Sequence, residues 1–303
     1  MEEEPQNKEE ELLKSLDNDF VLGLVNEYLP NGEKITEEKG AIIVPEAKNL
    51  FLNLKELRGF HPTNEDFNLG IEFCKEAEKD LNRSKKSYSN EDFPDSIYHL
   101  QQTAEKVMKA YGLVQGAFTK KDLFDIQHKT PKAFIKLVEE KNIQVYLKSL
   151  KQINPNLNTD ISELKTIVDT KDQELALLNA DQLNIWLNLS KKIDENLSKT
   201  NIDDILRKVL PDLAEMQGKK VTYPKFSIMK FSSTFIKMYL IATMTYPHEA
   251  YTRYPDREIK PSQYTKELGI VQVAPEVFKL LDESLDFLNK FIEWKNENKV
   301  QTN

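Results

Sequence analysis

FPDSIYHLQQTAEKVMKAYG, residues 93–112, is the stretch whose reading decides the fold. Ile97, Leu100, Ala104, Val107, Met108 and Tyr111 recur at three- and four-residue steps. That spacing lays them on one stripe of an α-helix. Asp92, Pro94 and Asp95 stand at its start, where a side-chain cap, a preset φ and negative charge all favour a helix N-terminus. Gly112 stands where a C-terminal stop is expected. Gln101, Gln102, Glu105, Lys106 and Lys109 occupy the polar side, and the two lysines beside Glu105 read as ordinary solvated helix charges. The pattern predicts a core helix and names no chemistry.

Upstream, Thr63-Asn64-Glu65-Asp66 is a second helix start. Phe67, Gly70, Ile71, Cys74, Ala77, Leu81 and Tyr88 trace its stripe to about Ser87, and residues 87–92 read as a loop. Two amphipathic helices with so short a link are expected to pack antiparallel. Further upstream, residues 1–10 read as acidic and disordered, 11–28 as a short helix, Gly40–Pro45 as a strand or extended connector, and 47–57 as another helix.

Downstream, Lys120–Thr130 reads as a polar connector containing His128, and Pro131 opens a helix to about Leu150. Residues 157–222 carry further helical patterns, including Leu183, Ile185, Trp186 and Leu189. Phe226–Tyr246 is the most apolar helix, yet too polar to span a bilayer. After an extended loop, Pro275 reopens a helix to about Lys295. This last helix is expected to pack on or beside residues 93–112. Trp186 and Trp294 read as core or interface anchors.

The 303 residues suffice for one large domain or two small ones. With 39% hydrophobic residues, 30% charged, nine glycines and a mean hydropathy of −0.57, a helix-rich composition is favoured over a turn-dense β architecture. A net charge of −8 argues against coating nucleic acid by bulk electrostatics. The one cysteine, Cys74, cannot form an internal disulfide, which suits a reducing compartment. An acidic N-terminus and the lack of a long apolar run predict a cytoplasmic protein without membrane association. Scattered histidines predict no metal site, and the lack of a glycine phosphate loop or nucleophile elbow leaves no cofactor expected.

Tyr98-His99-Leu100-Gln101-Gln102-Thr103-Ala104-Glu105-Lys106-Val107-Met108-Lys109 resembles the second helix of HEPN domains, where a Q-x-A-E-K-x-x-K string recurs. Glu249-Ala250-Tyr251-Thr252-Arg253-Tyr254-Pro255-Asp256, followed by Tyr264-Thr265 and a long closing helix, is similar to the segment before the last HEPN helix. Gln127-His128-Lys129-Thr130-Pro131 matches the family's His-containing loop only loosely. The resemblance implies an all-α fold: a HEPN-like antiparallel helical bundle built from residues 63–150 and 224–297. Residues 151–223 would be an inserted helical subdomain, 1–62 an N-terminal extension and 298–303 a tail. It also implies a homodimer with a ligand groove near the dimer contact, and a nucleotidyltransferase as partner.

Active members of that family resemble one another in an Arg followed after four to six residues by a His. The imidazole moves protons at the ribose 2′-hydroxyl and the leaving oxygen, and the guanidinium holds the phosphate. Arg58, Arg83, Arg207, Arg253 and Arg257 are the five arginines, and none has a His at that spacing. The first expectation is therefore a nucleotide-, RNA- or partner-binding protein without nuclease activity. Its alternatives are a metal-independent ribonuclease of a defence or toxin–antitoxin system, and a helical scaffold.

His248 and Arg253 stand in reversed order with four residues between them, and are the candidate acid–base and phosphate-holding groups. Gln102, Glu105, Lys106, Lys109, Arg253, Tyr254 and Arg257 are the candidate ligand contacts. A purely structural alternative has Arg253 paired with Glu105 or Glu249, His99 on the surface or hydrogen-bonded, and His128 capping a loop.

Overall fold

The computed structural model describes residues 62–116, 118–126, 172–198 and 228–299. The chain forms two compact units. All described residues belong to the unit built from His61–Leu137, Ile161–Ser198 and Pro224–Asn303. The other comprises Met1–Phe60, Val138–Asp160 and Lys199–Tyr223. Expectations for residues 1–57, His128, 132–150, 157–171 and 199–227 lie outside the described residues.

Every regular element among the described residues is helical: α1 (Asn64–Ser89), α2 (Phe93–Gln115), α3 (Lys120–Ile126), α4 (Asp172–Ala176), α5 (Ala180–Ser198), α6 (Ile228–Thr245), α7 (His248–Tyr251) and α8 (Gly269–Lys299), with a 3-10 turn at Pro261–Gln263. The fold is all-α, as expected.

Local chemistry sets the first two helices. The Thr63 hydroxyl accepts from the Asp66 N–H at 3.0 Å, capping α1. The Asp92 carboxylate accepts from the Asp95 N–H at 3.4 Å, capping α2. Only Asn90, Glu91 and Asp92 separate them, a tighter link than the loop expected over 87–92. The helices pair antiparallel: the Ser84 hydroxyl donates to the Ser96 carbonyl at 2.7 Å, and the Ser96 hydroxyl returns a bond to the Ser84 carbonyl at 2.9 Å. At the far end, Gly70 faces Ala110, Leu113 and Val114.

Helix α2 is the centre of the unit. It packs against α1, α6, α7 and α8. Ile97, Leu100, Ala104, Val107, Met108, Tyr111, Leu113 and Val114 are fully buried. Each large apolar side chain so buried contributes about 1.5–3 kcal/mol. Being wrapped by helices, α2 also buries Gln101, Thr103, Glu105 and Lys109. The solvated face expected from periodicity is thus largely internal.

Gly112 does not end α2. The helix runs on to Gln115, and Gly116 makes the left-handed stop at φ 82°. Gly112 serves close packing instead: a Cβ there would lie 1.9 Å from the Phe118 ring. The polar connector expected over 120–130 contains helix α3. Thr119 and Asp122 cap it reciprocally, and the Lys120 N–H donates to Asp66 Oδ1 at 2.7 Å.

Helix α8 begins at Gly269, so Pro275 lies inside it rather than at its start. A proline there leaves the carbonyl four residues back without its helical donor. That carbonyl belongs to Val271, and the Tyr88 hydroxyl donates to it at 3.2 Å. As expected, α8 packs on α2. Helix α5, from the stretch expected as an insertion, packs on α6 and α8 within this same unit.

Candidate functional site

Two polar groupings lie on α2. In the first, the Asp80 carboxylate of α1, only 5% exposed, collects three basic groups. His99 Nδ1 lies 3.0 Å from Oδ1, Lys106 Nζ pairs with Oδ2, and Arg83 reaches Oδ1 at 3.5 Å. A carboxylate accepts hydrogen bonds, so the imidazole donates from Nδ1. His99 Nε2 lies 3.7 Å from the half-exposed Asp95.

In the second grouping, Lys109 Nζ donates to Glu105 Oε1 at 2.6 Å, and Gln101 donates to Glu105 Oε2 at 3.0 Å. Both charged side chains are about nine-tenths buried. The Lys109 ammonium also stands 5.8 Å from the Phe73 ring centroid. Glu105 and Lys109 are therefore matched to one another inside the bundle. Gln102 is half-buried, its amide donating to Gln101 Oε1 at 2.7 Å.

The segment after α7 brings a cation to Tyr98. Helix α7 packs on α2, and the Arg253 N–H closes a turn to the Ala250 carbonyl at 3.2 Å. The exposed Arg253 guanidinium lies 5.1 Å from the Tyr98 ring centroid and 5.6 Å from that of Tyr254. Cation–π contact of this kind holds an exposed guanidinium in place for about 0.5–1 kcal/mol. Arg253 has neither Glu105 nor Glu249 as ion-pair partner; among the described residues no carboxylate lies within pairing range. Tyr254 is 47% exposed, and Arg257 is exposed on the same turn. Tyr98 also meets the His99 ring edge-on, at 5.2 Å between centroids.

The structure separates His248 from this face. Its ring is 1% exposed, with Nδ1 2.7 Å from the Tyr264 hydroxyl. Acid–base work on a ligand arriving from solvent requires an imidazole that solvent reaches, which His248 lacks here. Burial pulls its pKa from 6.5 to about 3, so the ring is neutral at physiological pH.

Between those two values the unfolded chain binds a proton that the folded chain refuses. The stability due to the neutral ring is complete above about pH 6.5 and declines as the pH falls toward 3. The expected slope from this residue is up to about 1.4 kcal/mol per pH unit. Urea denaturation at pH 7, 6 and 5 should show the wild type losing more stability over that range than His248→Gln. Parallel losses would mean that the folded protein accommodates the imidazolium.

Cys74 is likewise internal. Burial pushes its thiol up to about 12, and Sγ lies 3.3 Å from Asn289 Oδ1, marking an inert packing residue. Among the described residues, no group of His, Cys, Asp and Glu is placed to hold a metal ion, and no helix is long and apolar enough to cross a membrane.

Residues 72–154 match the family model of the HEPN domain. Over that stretch the chain is similar to the HEPN domain. The HEPN match covers most of α1 and all of α2 and α3, and stops short of Arg253 and Tyr254. The fold is what seats that later segment on α2. No curated protein and no solved structure matches the chain.

Of the residues expected at a site, the structure brings Arg253 and Tyr254 to Tyr98, and sends Lys106 to Asp80. Asp80, Tyr98 and His99 were not among the expected contacts. Tyr98 and His99 open the family-like string itself, ahead of its two glutamines. Asp80 stands only three residues from Arg83, but His99 and Lys106, which make it part of this grouping, are nineteen and twenty-six residues away.

Proposed function

We propose that this HEPN-domain protein binds a nucleotide or RNA at the face formed by Tyr98, Arg253 and Tyr254, without cleaving it. One observation carries the reading: an exposed guanidinium with no carboxylate partner among the described residues, held against two tyrosine rings. Guanidinium matches phosphate in charge and geometry, and a half-exposed tyrosine ring offers a base a stacking surface. The missing Arg-to-His spacing favours binding over cleavage.

Arg253→Ala is expected to weaken nucleotide binding about tenfold, the effect of losing roughly 1.4 kcal/mol from one charge-assisted contact. Because the side chain is exposed, the melting temperature should stay within a degree or two. Titration calorimetry and thermal melts on wild type and variant check both. Equal affinity in the two proteins would sink the proposal.

A second reading, metal-independent RNA cleavage, is favoured by the Asp80–His99 contact. A carboxylate that fixes an imidazole's orientation is the arrangement used by many proton-transfer sites. Incubation with RNA in EDTA separates the readings. Cleavage lost in His99→Gln would support the enzyme, and intact RNA would support the binder.

A further inference from the structure

We infer that the start of α8, residues 269–274, opens about Pro275 as a hinged segment while the rest of the helix stays closed, and that Tyr88 is its latch.

Pro275 has no N–H to donate, so α8 lacks a hydrogen bond where its two parts join. Tyr88, near the end of α1, splints that joint. Its hydroxyl donates to the Val271 carbonyl, on one side of the proline, at 3.2 Å. Its ring meets Phe278, on the other side, edge-on at 5.6 Å between centroids. The same ring meets Phe93, the first residue of α2, at 5.4 Å. A separation of 3.2 Å is long for a hydroxyl donor, and Tyr88 is only half-buried. Such a bond releases more readily than one inside a helix.

A second tie lies beside the first. Glu91 follows the C-cap of α1 in the left-handed conformation, φ 59°, a position where glycine is the usual residue. Its carboxylate pairs with Lys266, just ahead of α8. Both side chains are exposed, so this pair holds weakly. The flanks are firmer. Tyr264 is fixed by its contact with His248, and buried Leu281, Leu285 and Leu288 keep the rest of α8 in the core.

The α4–α5 turn moves with the segment. Gly269 lies so close to the Leu178 carbonyl oxygen and to Asn179 that a Cβ would overlap both. Through Tyr88, the end of α1 therefore has a hold on the turn that leads into α5. Ile270, Val271 and Ala274 are buried, which makes the open form a minor state of the kind that hydrogen exchange reads.

The test is hydrogen–deuterium exchange of the full chain, followed by mass spectrometry, for wild type, Tyr88→Phe, Pro275→Ala and the double variant. Tyr88→Phe keeps the ring and removes the hydroxyl. Exchange over residues 268–274 and 177–183 is expected to quicken about fivefold, the effect of one net hydrogen bond, and over 280–295 less than about twofold. Pro275→Ala supplies the N–H that the Val271 carbonyl lacks, so the hinged residues should exchange more slowly than in wild type. In that background Tyr88→Phe should add less than about twofold, because the latch is no longer needed. Quickening spread evenly along α8, no quickening at all, or a fivefold effect that persists with Pro275→Ala would overturn the inference.

Discussion

Gly269→Ala is expected to destabilise the helical unit by about 3 kcal/mol, the upper end of the usual cost of overpacking. A Cβ at this position would lie 2.1 Å from the Leu178 carbonyl oxygen and 2.7–2.8 Å from backbone atoms of Asn179. Those atoms belong to the turn between α4 and α5, so no rotamer change relieves the clash. The first turn of α8 would have to move off the turn that carries α5. At Gly112 the nearest atoms are those of the Phe118 side chain, and at Gly70 a valine methyl comes before the Ala110 carbonyl oxygen, so in both the closest clash is with a side chain. The result is checked by urea denaturation of wild type and variant. A loss below about 1 kcal/mol would mean that the α4–α5 turn yields easily.

Asp80→Ala is expected to cost about 3 kcal/mol, near the lower end for breaking a buried ion pair by removing one partner. The carboxylate is buried between α1 and α2, where it meets His99 and Lys106. Its removal leaves a partly buried ammonium and imidazole without their carboxylate. Lys106 is about a quarter exposed and can turn partly to water, which keeps the cost from being larger. Asp80→Asn, which keeps the volume and one acceptor, should cost about half as much. In a cycle with Lys106→Met, the double variant should be less destabilised than the two single losses added together. Strict additivity would show that Asp80 and Lys106 do not interact appreciably in solution.

Helix identity in this chain is a local property and was legible. Thr63 and Asp92 each accept from a backbone N–H three residues on, and the apolar stripes of α1 and α2 repeat every three to four positions. The short link between them left antiparallel pairing as the natural outcome. The Gln101–Lys109 string and the Arg253–Asp256 corner were separately readable, and both fall in one hydrophobic unit.

Environment is what periodicity does not report. Periodicity tells which residues share a side of a helix, but not how many neighbours cover it. With four helices around α2, the side carrying Glu105 and Lys109 is inside the protein, and a pair that would be solvated on an isolated helix is matched internally. Pro275 reads locally as a helix start. It lies inside α8 because Tyr88, nearly two hundred residues earlier, supplies the hydrogen bond its ring removes. The two histidines differ in exposure for the same reason. His248, beside the family-like corner, is sealed against Tyr264, while His99 keeps a partly exposed ring fixed by Asp80.

The amino-acid sequence by itself determined α1, α2 and the class of the fold, because caps and three-to-four-residue stripes act within a few positions along the chain. Only the tertiary structure decided which charges are neutralised and which stay available. Burial and ion pairing depend on the spacing between segments far apart in the chain, and that spacing is set by packing. Asp80 claiming Lys106 and Arg253 resting on Tyr98 are outcomes of how α1, α2 and α7 meet.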